Sequence, residues 1–169
     1  MPDTRGTLRP FMIREASERD FQRLIAGEAP DGTRFADTRI APAEVLAMLS
    51  GVSDEVRRSF EPAAWLILED GELVGLCSVV KPPQARVVEI GYGIAPSRRR
   101  RGHATAAVRE IVAWAHLRPD VVALAAESST ANPASQAVLL RSGFAQTGTR
   151  TDKEDGPLVC WRCETPTSD

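Results

Sequence analysis

Between Val87 and Ala126 the chain reads strand, glycine-containing turn, helix, strand, and no other stretch constrains the fold as much. Val87–Ile94 is rich in β-branched and aromatic residues. Arg98-Arg99-Arg100-Arg101-Gly102 makes the turn. Over His103–Leu117, Ala104, Ala107, Val108, Ile111, Trp114 and Ala115 recur at helical spacing. Val121–Ala126 is almost continuously apolar, as in a strand covered on both faces. Parallel strands need a long crossover, usually a helix, so these two are predicted to pair in parallel as a βαβ unit.

The flanking sequence predicts mainly antiparallel partners. Phe11–Arg14 reads as a first strand, and Ser17 as the N-cap of a helix carrying Phe21, Leu24 and Ile25 on one face. Gly27–Arg39 reads as irregular. Pro42 suits a first helical turn, and a helical region follows towards Phe60, with Gly51 its weak point. Asp70-Gly71 between two β-rich runs, Ala64–Glu69 and Glu72–Val80, predicts a hairpin. Asn132-Pro133 starts another helix, which stops at Ser142-Gly143. Ala145–Thr149 and Leu158–Cys163 read as a closing antiparallel pair. The fold class predicted is α/β, with a mixed, mostly antiparallel central sheet flanked by helices and one parallel βαβ unit. Residues 1–10 are expected to form a flexible arm, 11–164 a single domain and 165–169 a flexible tail.

The 169 residues suffice to bury a core without staples. The three cysteines, Cys77, Cys160 and Cys163, cannot all pair within one chain, and Cys160-x-x-Cys163 lies in a strand-like run. No metal is expected there, because a zinc site needs two more ligands and the only histidines, His103 and His116, end one helix. Met1–Pro10 has no apolar core of a secretion signal, and no apolar run reaches the length of a membrane span. The expected location is the cytoplasm, without membrane partners.

The arginine-rich turn admits three readings: an anion site, a solvated turn, or a nucleic-acid patch. A formal net charge of −2 and mixed charges elsewhere argue against nucleic acid. The first amides of a helix have no intrahelical partner, and the helix dipole adds roughly +0.5 charge there. A pyrophosphate would satisfy both, and Gly102 leaves room for it to approach the backbone. No Gly-Lys-Ser/Thr loop and no G-x-G-x-x-G fingerprint is present.

Arg99-x-x-Gly102-x-Ala104 resembles the Q/R-x-x-G-x-G/A acyl-CoA loop of the GNAT superfamily of N-acetyltransferases. Glu89-Ile90-Gly91-Tyr92-Gly93-Ile94-Ala95-Pro96 before it, and Asn132-Pro133-Ala134-Ser135 with Val138-Leu139 and Gly143-Phe144 after it, resemble the RimJ/RimL-like branch in particular. The resemblance implies acetyl-CoA as co-substrate, bound by a loop that starts at Arg99, with its pyrophosphate on the amides of Arg100, Arg101, Gly102, His103 and Ala104 and its pantetheine arm along the strand ending at Ile94. It also implies Asn132 beside that arm and Ser135 near the sulfur. The reaction expected is transfer of an acetyl group to a primary amine, either a protein N-terminus or a small amine.

Such a transfer needs a neutral amine, a polarised thioester and an outlet for the leaving thiolate. Glu89, on the strand expected to carry the cofactor, is the candidate base, acting through a water. Its alternative reading is a strand-edge carboxylate paired with an arginine. Asn132 and Ser135 read equally well as a helix N-cap and a polar first-turn residue. The resemblance would place a tyrosine acid at Leu139, which cannot donate a proton. The acid is then Ser135, water, or none, and a non-catalytic acyl-CoA-binding module stands as the alternative function. Tyr92 faces away from Glu89 in a regular strand and reads as packing or cleft wall. Asp152–Asp155 reads as a solvated loop that could draw a cationic acceptor. The C-terminal strands are where a homodimer would form.

Overall fold

The computed structural model describes residues 11–166, so the arm at 1–10 and residues 167–169 of the tail lie outside the described residues. In chain order the elements are β1 (Phe11–Glu15), α1 (Glu18–Ile25), β2 (Arg34–Phe35), α2 (Ala43–Arg57), β3 (Ala64–Glu69), β4 (Glu72–Val79) and β5 (Val87–Ile94). A single 3-10 turn (Pro96–Arg98) then leads to α3 (His103–His116), β6 (Ala123–Ser129), α4 (Pro133–Arg141), β7 (Ala145–Asp152) and β8 (Gly156–Glu164).

Local chemistry sets the boundaries. Ser17 caps α1 by accepting from the Asp20 amide, while the Asp20 carboxylate accepts from the Ser17 amide. Asp70 and Gly71 turn the β3–β4 hairpin with φ of 50° and 78°. Asn132 caps α4, with Pro133 in its first turn. Two expectations change. α2 runs unbroken through Gly51, a position no neighbouring group crowds. The region expected to be irregular contains β2, too short for any periodic signal, which lies parallel to β4 beside Glu72 and Leu73.

One mixed sheet runs β1-β3-β4-β5-β6-β8-β7, with β2 on β4. β5 and β6 are parallel, as the βαβ reading requires. The pairs β1–β3, β3–β4, β4–β5, β6–β8 and β7–β8 are antiparallel. Side chains alternate between faces. Ala64, Leu66, Leu68, Leu73 and Leu76 meet Phe21, Leu24 and Leu46 of α1 and α2. Trp65, Cys77, Val79, Val88 and Ile90 meet Val108, Ile111 and Leu139 of α3 and α4. Burying one such side chain contributes about 1.5–3 kcal/mol.

One departure from regular pairing positions the site. β5 and β6 pair only from Val87↔Ala123 to Ile90↔Ala126. Beyond that point β5 stays on β4 as far as Ile94, and β6 stays on β8 as far as Ser129. Each strand keeps its outer partner, so the two part and leave a V-shaped opening between Gly91–Ile94 and Glu127–Ser129.

Candidate functional site

A cavity of about 760 Å³ opens at this divergence. Tyr92, Gly93 and Ile94 of β5 form one wall, and Arg98, Arg99, Arg100 and Gly102 form the turn beside them. His103, Ala104 and Thr105 contribute the start of α3, and the start of α4 adds Asn132, Ala134 and Ser135, with Ala137, Val138 and Arg141 beyond.

The turn is shaped to leave amides unused. The ladder of α3 begins with the Ala106 amide donating to the Gly102 carbonyl at 3.0 Å. The amides of His103, Ala104 and Thr105 precede it and carry the positive end of the helix dipole. Gly102 has a φ of +81°, and, its chain neighbours aside, a Cβ built on it would meet no atom of the described residues within 4 Å. That empty ground beside unpaired amides fits an anion such as a pyrophosphate. Arg100 also takes a left-handed φ, 65°.

The arginines divide their duties. Arg98 is engaged within the protein, its Nε donating to Glu72 at 2.5 Å and its Nη1 to Asp37 at 3.3 Å. Arg99 Nε donates to the Ile94 carbonyl at 3.2 Å, tying the turn to the end of β5. Arg100 borders the cavity, and Arg101 is exposed and does not. The His103 ring turns inwards: Nδ1 donates to the Arg98 carbonyl, Nε2 meets the Glu69 carboxylate, and the ring stacks on Phe11. Its side chain therefore braces the turn from beneath.

Across the opening, Asn132 Oδ1 accepts from the Ser135 amide at 3.1 Å, the capping bond that fixes the first turn of α4. The Tyr92 hydroxyl lies 2.9 Å from Ser135 Oγ. No bulge interrupts this part of β5, so Tyr92 does face away from Glu89, yet its hydroxyl reaches the cavity edge as a polar group with a partner. Burial pushes the Tyr92 phenol up, against the hydrogen bond to Ser135, so it stays protonated at neutral pH. Leu139 is fully buried.

Glu89 lies outside this cavity, on the opposite face of β5. Register puts it beside Ala125 of β6, so Glu127, two residues on, shares its face. Arg150 grips Glu127 with two bonds, Nε at 2.5 Å and Nη2 at 2.9 Å. Burial raises the Glu89 carboxyl; Lys81 opposes the rise, and the Glu127 charge and hydrogen bond add to it. One carboxylate is thus neutralised by a guanidinium while its neighbour holds its proton more tightly than usual. Asp152, which also meets Arg150, is held below the usual range, first by the amides of Glu154 and Asp155.

The structure therefore gathers Ile94, Arg99, Arg100, Gly102, His103, Ala104, Asn132 and Ser135 around one cavity, and leaves Arg101 and Glu89 outside its lining, Glu89 on the opposite face of β5. The sequence reading did not anticipate Glu127, Arg150 or Arg141. Arg141 sits in the last turn of α4, where its charge reads as ordinary complement to the helix dipole. Among the described residues no group of three or more His, Cys, Asp or Glu side chains could hold a metal, and no helix is long and apolar enough to cross a membrane.

Residues 10–145 match the model of a protein family described as an acetyltransferase (GNAT) domain. No curated protein matches the chain significantly. Solved structures do. RimL, a ribosomal L7/L12 alpha-N-protein acetyltransferase in complex with coenzyme A, superposes with a TM-score of 0.70 at 16% identity, covering 95% of this chain and 97% of its own. A chimera of the Vibrio cholerae spermidine N-acetyltransferase SpeG and hSSAT gives 0.68 at 13% identity, covering 92% and 95%. The aminoglycoside enzyme AAC(6')-Ib, with paromomycin and acetyl-CoA, gives 0.64 at 17% identity, covering 91% and 93%. At these identities the likeness is one of fold.

Proposed function

The chain belongs to the GNAT acetyltransferase family, and from that premise we propose that it transfers the acetyl group of acetyl-CoA to a primary amine by direct attack. The acceptor class is a protein N-terminus or a small amine. Similar folds are found in acetyltransferases named for a ribosomal protein, for spermidine and for aminoglycosides, whose shared feature is an amine. The observation that carries the reading is the cavity itself, which runs from the free end of β5 to the unpaired amides at the start of α3.

In this reading the amides of His103, Ala104 and Thr105 take the pyrophosphate, with Arg100 and Arg141 adding charge at the rim. The free edge of Gly91–Ile94 offers backbone groups to the pantetheine arm, and Asn132 stands beside it. Glu89 accepts the amine's proton through a water. A lysine-type amine has a reference pKa near ~10.4 and an α-amino group near ~8, so the base matters more for the first. The raised Glu89 carboxyl suits that work, because a base nearer to neutrality is the better proton acceptor. Ser135 supplies a proton to the leaving thiolate, since Leu139 has none to give.

The test is a thiol-release assay with acetyl-CoA and a panel of N-terminal peptides, polyamines and aminoglycosides. Amine-dependent release of free thiol is expected. Binding of acetyl-CoA without release for any amine would leave a non-catalytic binding module as the better account.

A further inference from the structure

Tyr92 enters the structure with a role its sequence position does not suggest. It is the one tyrosine of the chain. Its hydroxyl stands at the cavity edge, 2.9 Å from Ser135 Oγ and 3.3 Å from the Ser135 carbonyl oxygen. In β5 it pairs with Cys77 of β4, and it packs against the apolar layer under α3 and α4. Among the described residues, its hydroxyl has those two Ser135 atoms as polar partners.

A phenol is a stronger hydrogen-bond acid than an aliphatic alcohol. The single phenolic proton has two acceptors within reach, Ser135 Oγ at 2.9 Å and the Ser135 carbonyl at 3.3 Å, and we assign it to Oγ, the shorter contact. That leaves the Ser135 hydroxyl proton for an acceptor in the cavity that Ser135 lines. Two hydroxyls in series also polarise each other, so the outer proton is the more acidic for having Tyr92 behind it. The pair bridges β5 and α4 across the divergence of the sheet, where the free edge of β5 and the first turn of α4 come within reach of one ligand.

We propose that Tyr92 is a positioning residue for acetyl transfer, orienting Ser135 Oγ–H towards the departing sulfur and replenishing its proton. This rests on the acetyltransferase reading above. The amine nitrogen attacks the thioester carbonyl carbon, and a C–N bond forms. On collapse the C–S bond breaks, and its electron pair stays on sulfur. Sulfur takes the Ser135 proton as the Tyr92 proton passes to Ser135 Oγ, and the phenolate is reprotonated from solvent. The amine's surplus proton leaves through Glu89 and water, so one proton is lost and one gained. The acid missing at Leu139 of α4 is thus supplied from the strand opposite.

The alternative is that the Tyr92–Ser135 bond is merely a latch holding α4 against β5. Kinetics of Tyr92→Phe, Ser135→Ala and the double variant separate the two, with each protein's melting temperature and acetyl-CoA affinity measured alongside. A relay predicts that Tyr92→Phe lowers kcat by about 10–100-fold, at or below the low end of the ~10²–10⁴-fold typical of acid–base catalysis, because a thiol leaves readily. KM for acetyl-CoA and the melting temperature should hardly move. The double variant should be no slower than Ser135→Ala alone, since both changes break one path. Unchanged kcat in Tyr92→Phe, or a lowered melting temperature with kcat and KM disturbed together, overturns the proposal. Wild-type inactivity towards every amine would instead sink the acetyltransferase reading, which is a separate outcome.

Discussion

At the scale of single residues, Glu89 is pulled two ways. Burial and the neighbouring Glu127 favour its neutral form, and Lys81 and Arg150 favour the anion, with the balance towards the neutral form. A carboxyl whose pKa rises on folding makes the folded state bind more protons than the unfolded one between the two values. Stability therefore falls as pH rises through that window, from the ordinary carboxylate range up to the raised folded value. Two consequences follow for one side chain. Glu89→Gln removes the destabilising anion, so its melting temperature at pH 7 should equal or exceed wild type, while turnover falls by about 10²-fold or more. Calorimetry beside the thiol assay checks this, and a variant that is both less stable and fully active would remove Glu89 from the mechanism. Glu127→Gln lifts a like charge and a hydrogen bond that raise Glu89, so the acidic limb of the turnover–pH profile should move to lower pH. A limb that stays put would detach Glu127 from the base. The place of Glu89 on the strand before the turn was legible in the sequence. Glu127 and Arg150 were not, because their contact reaches across β8 and exists only through the β6–β8 and β7–β8 registers.

At the scale of elements, the turn and the α1–α2 connection act as one piece. Arg98 bridges Glu72 at the start of β4 and Asp37 in that connection, and Thr38 Oγ1 accepts from the Ser97 amide at 3.2 Å. The connection thus rests on the turn proposed to hold the pyrophosphate. Arg100, by contrast, has no ion-pair partner among the described residues and lines the cavity rim. Bisubstrate kinetics should separate them: Arg100→Ala should raise KM for acetyl-CoA alone, by up to about fivefold for one rim charge lost (up to ~1 kcal/mol). Arg98→Ala should raise KM for the amine as well, because it leaves Glu72 unpaired and frees the connection. An effect of Arg98→Ala on acetyl-CoA only would show that its charge, not its bridging, matters. Gly102 carries the sharper demand. Valine there must take a left-handed φ, costing about 1–2 kcal/mol, and its side chain would fill the ground beside the amides. Gly102→Val should still fold and lose all thermal stabilisation by acetyl-CoA; retained stabilisation would place the pyrophosphate elsewhere. The glycine marked this turn in the sequence. The division of labour among its arginines did not show, because Glu72 and Asp37 are distant in the chain.

At the scale of the whole molecule, the site follows from topology. A parallel pair embedded in an otherwise mostly antiparallel sheet is held from outside by β4 and β8, and its inner edges part once those partners dominate. Alternation, the apolar run at Val121–Ala126 and the crossover helix made the parallel pair readable. The point of divergence was not: Gly91–Ile94 reads as strand throughout, and Glu127–Ser129, beyond the apolar run read as a strand, extends β6 on β8 but does not pair with β5. A ligand lying in the opening would tie the two halves of the sheet together. Acetyl-CoA at about 100 times its dissociation constant should stabilise the fold by ~2.7 kcal/mol, a melting shift of roughly 5–11 °C at this size. The same ligand should slow hydrogen exchange at the amides of His103–Thr105 and along the free edge of Gly91–Ile94. Amides in β7, the far edge strand, should exchange as before, because nothing in the opening reaches them. Protection spread evenly over all strands would mean only global stabilisation, and protection absent from Gly91–Ile94 would mean that the divergence of β5 and β6 is not where the donor lies.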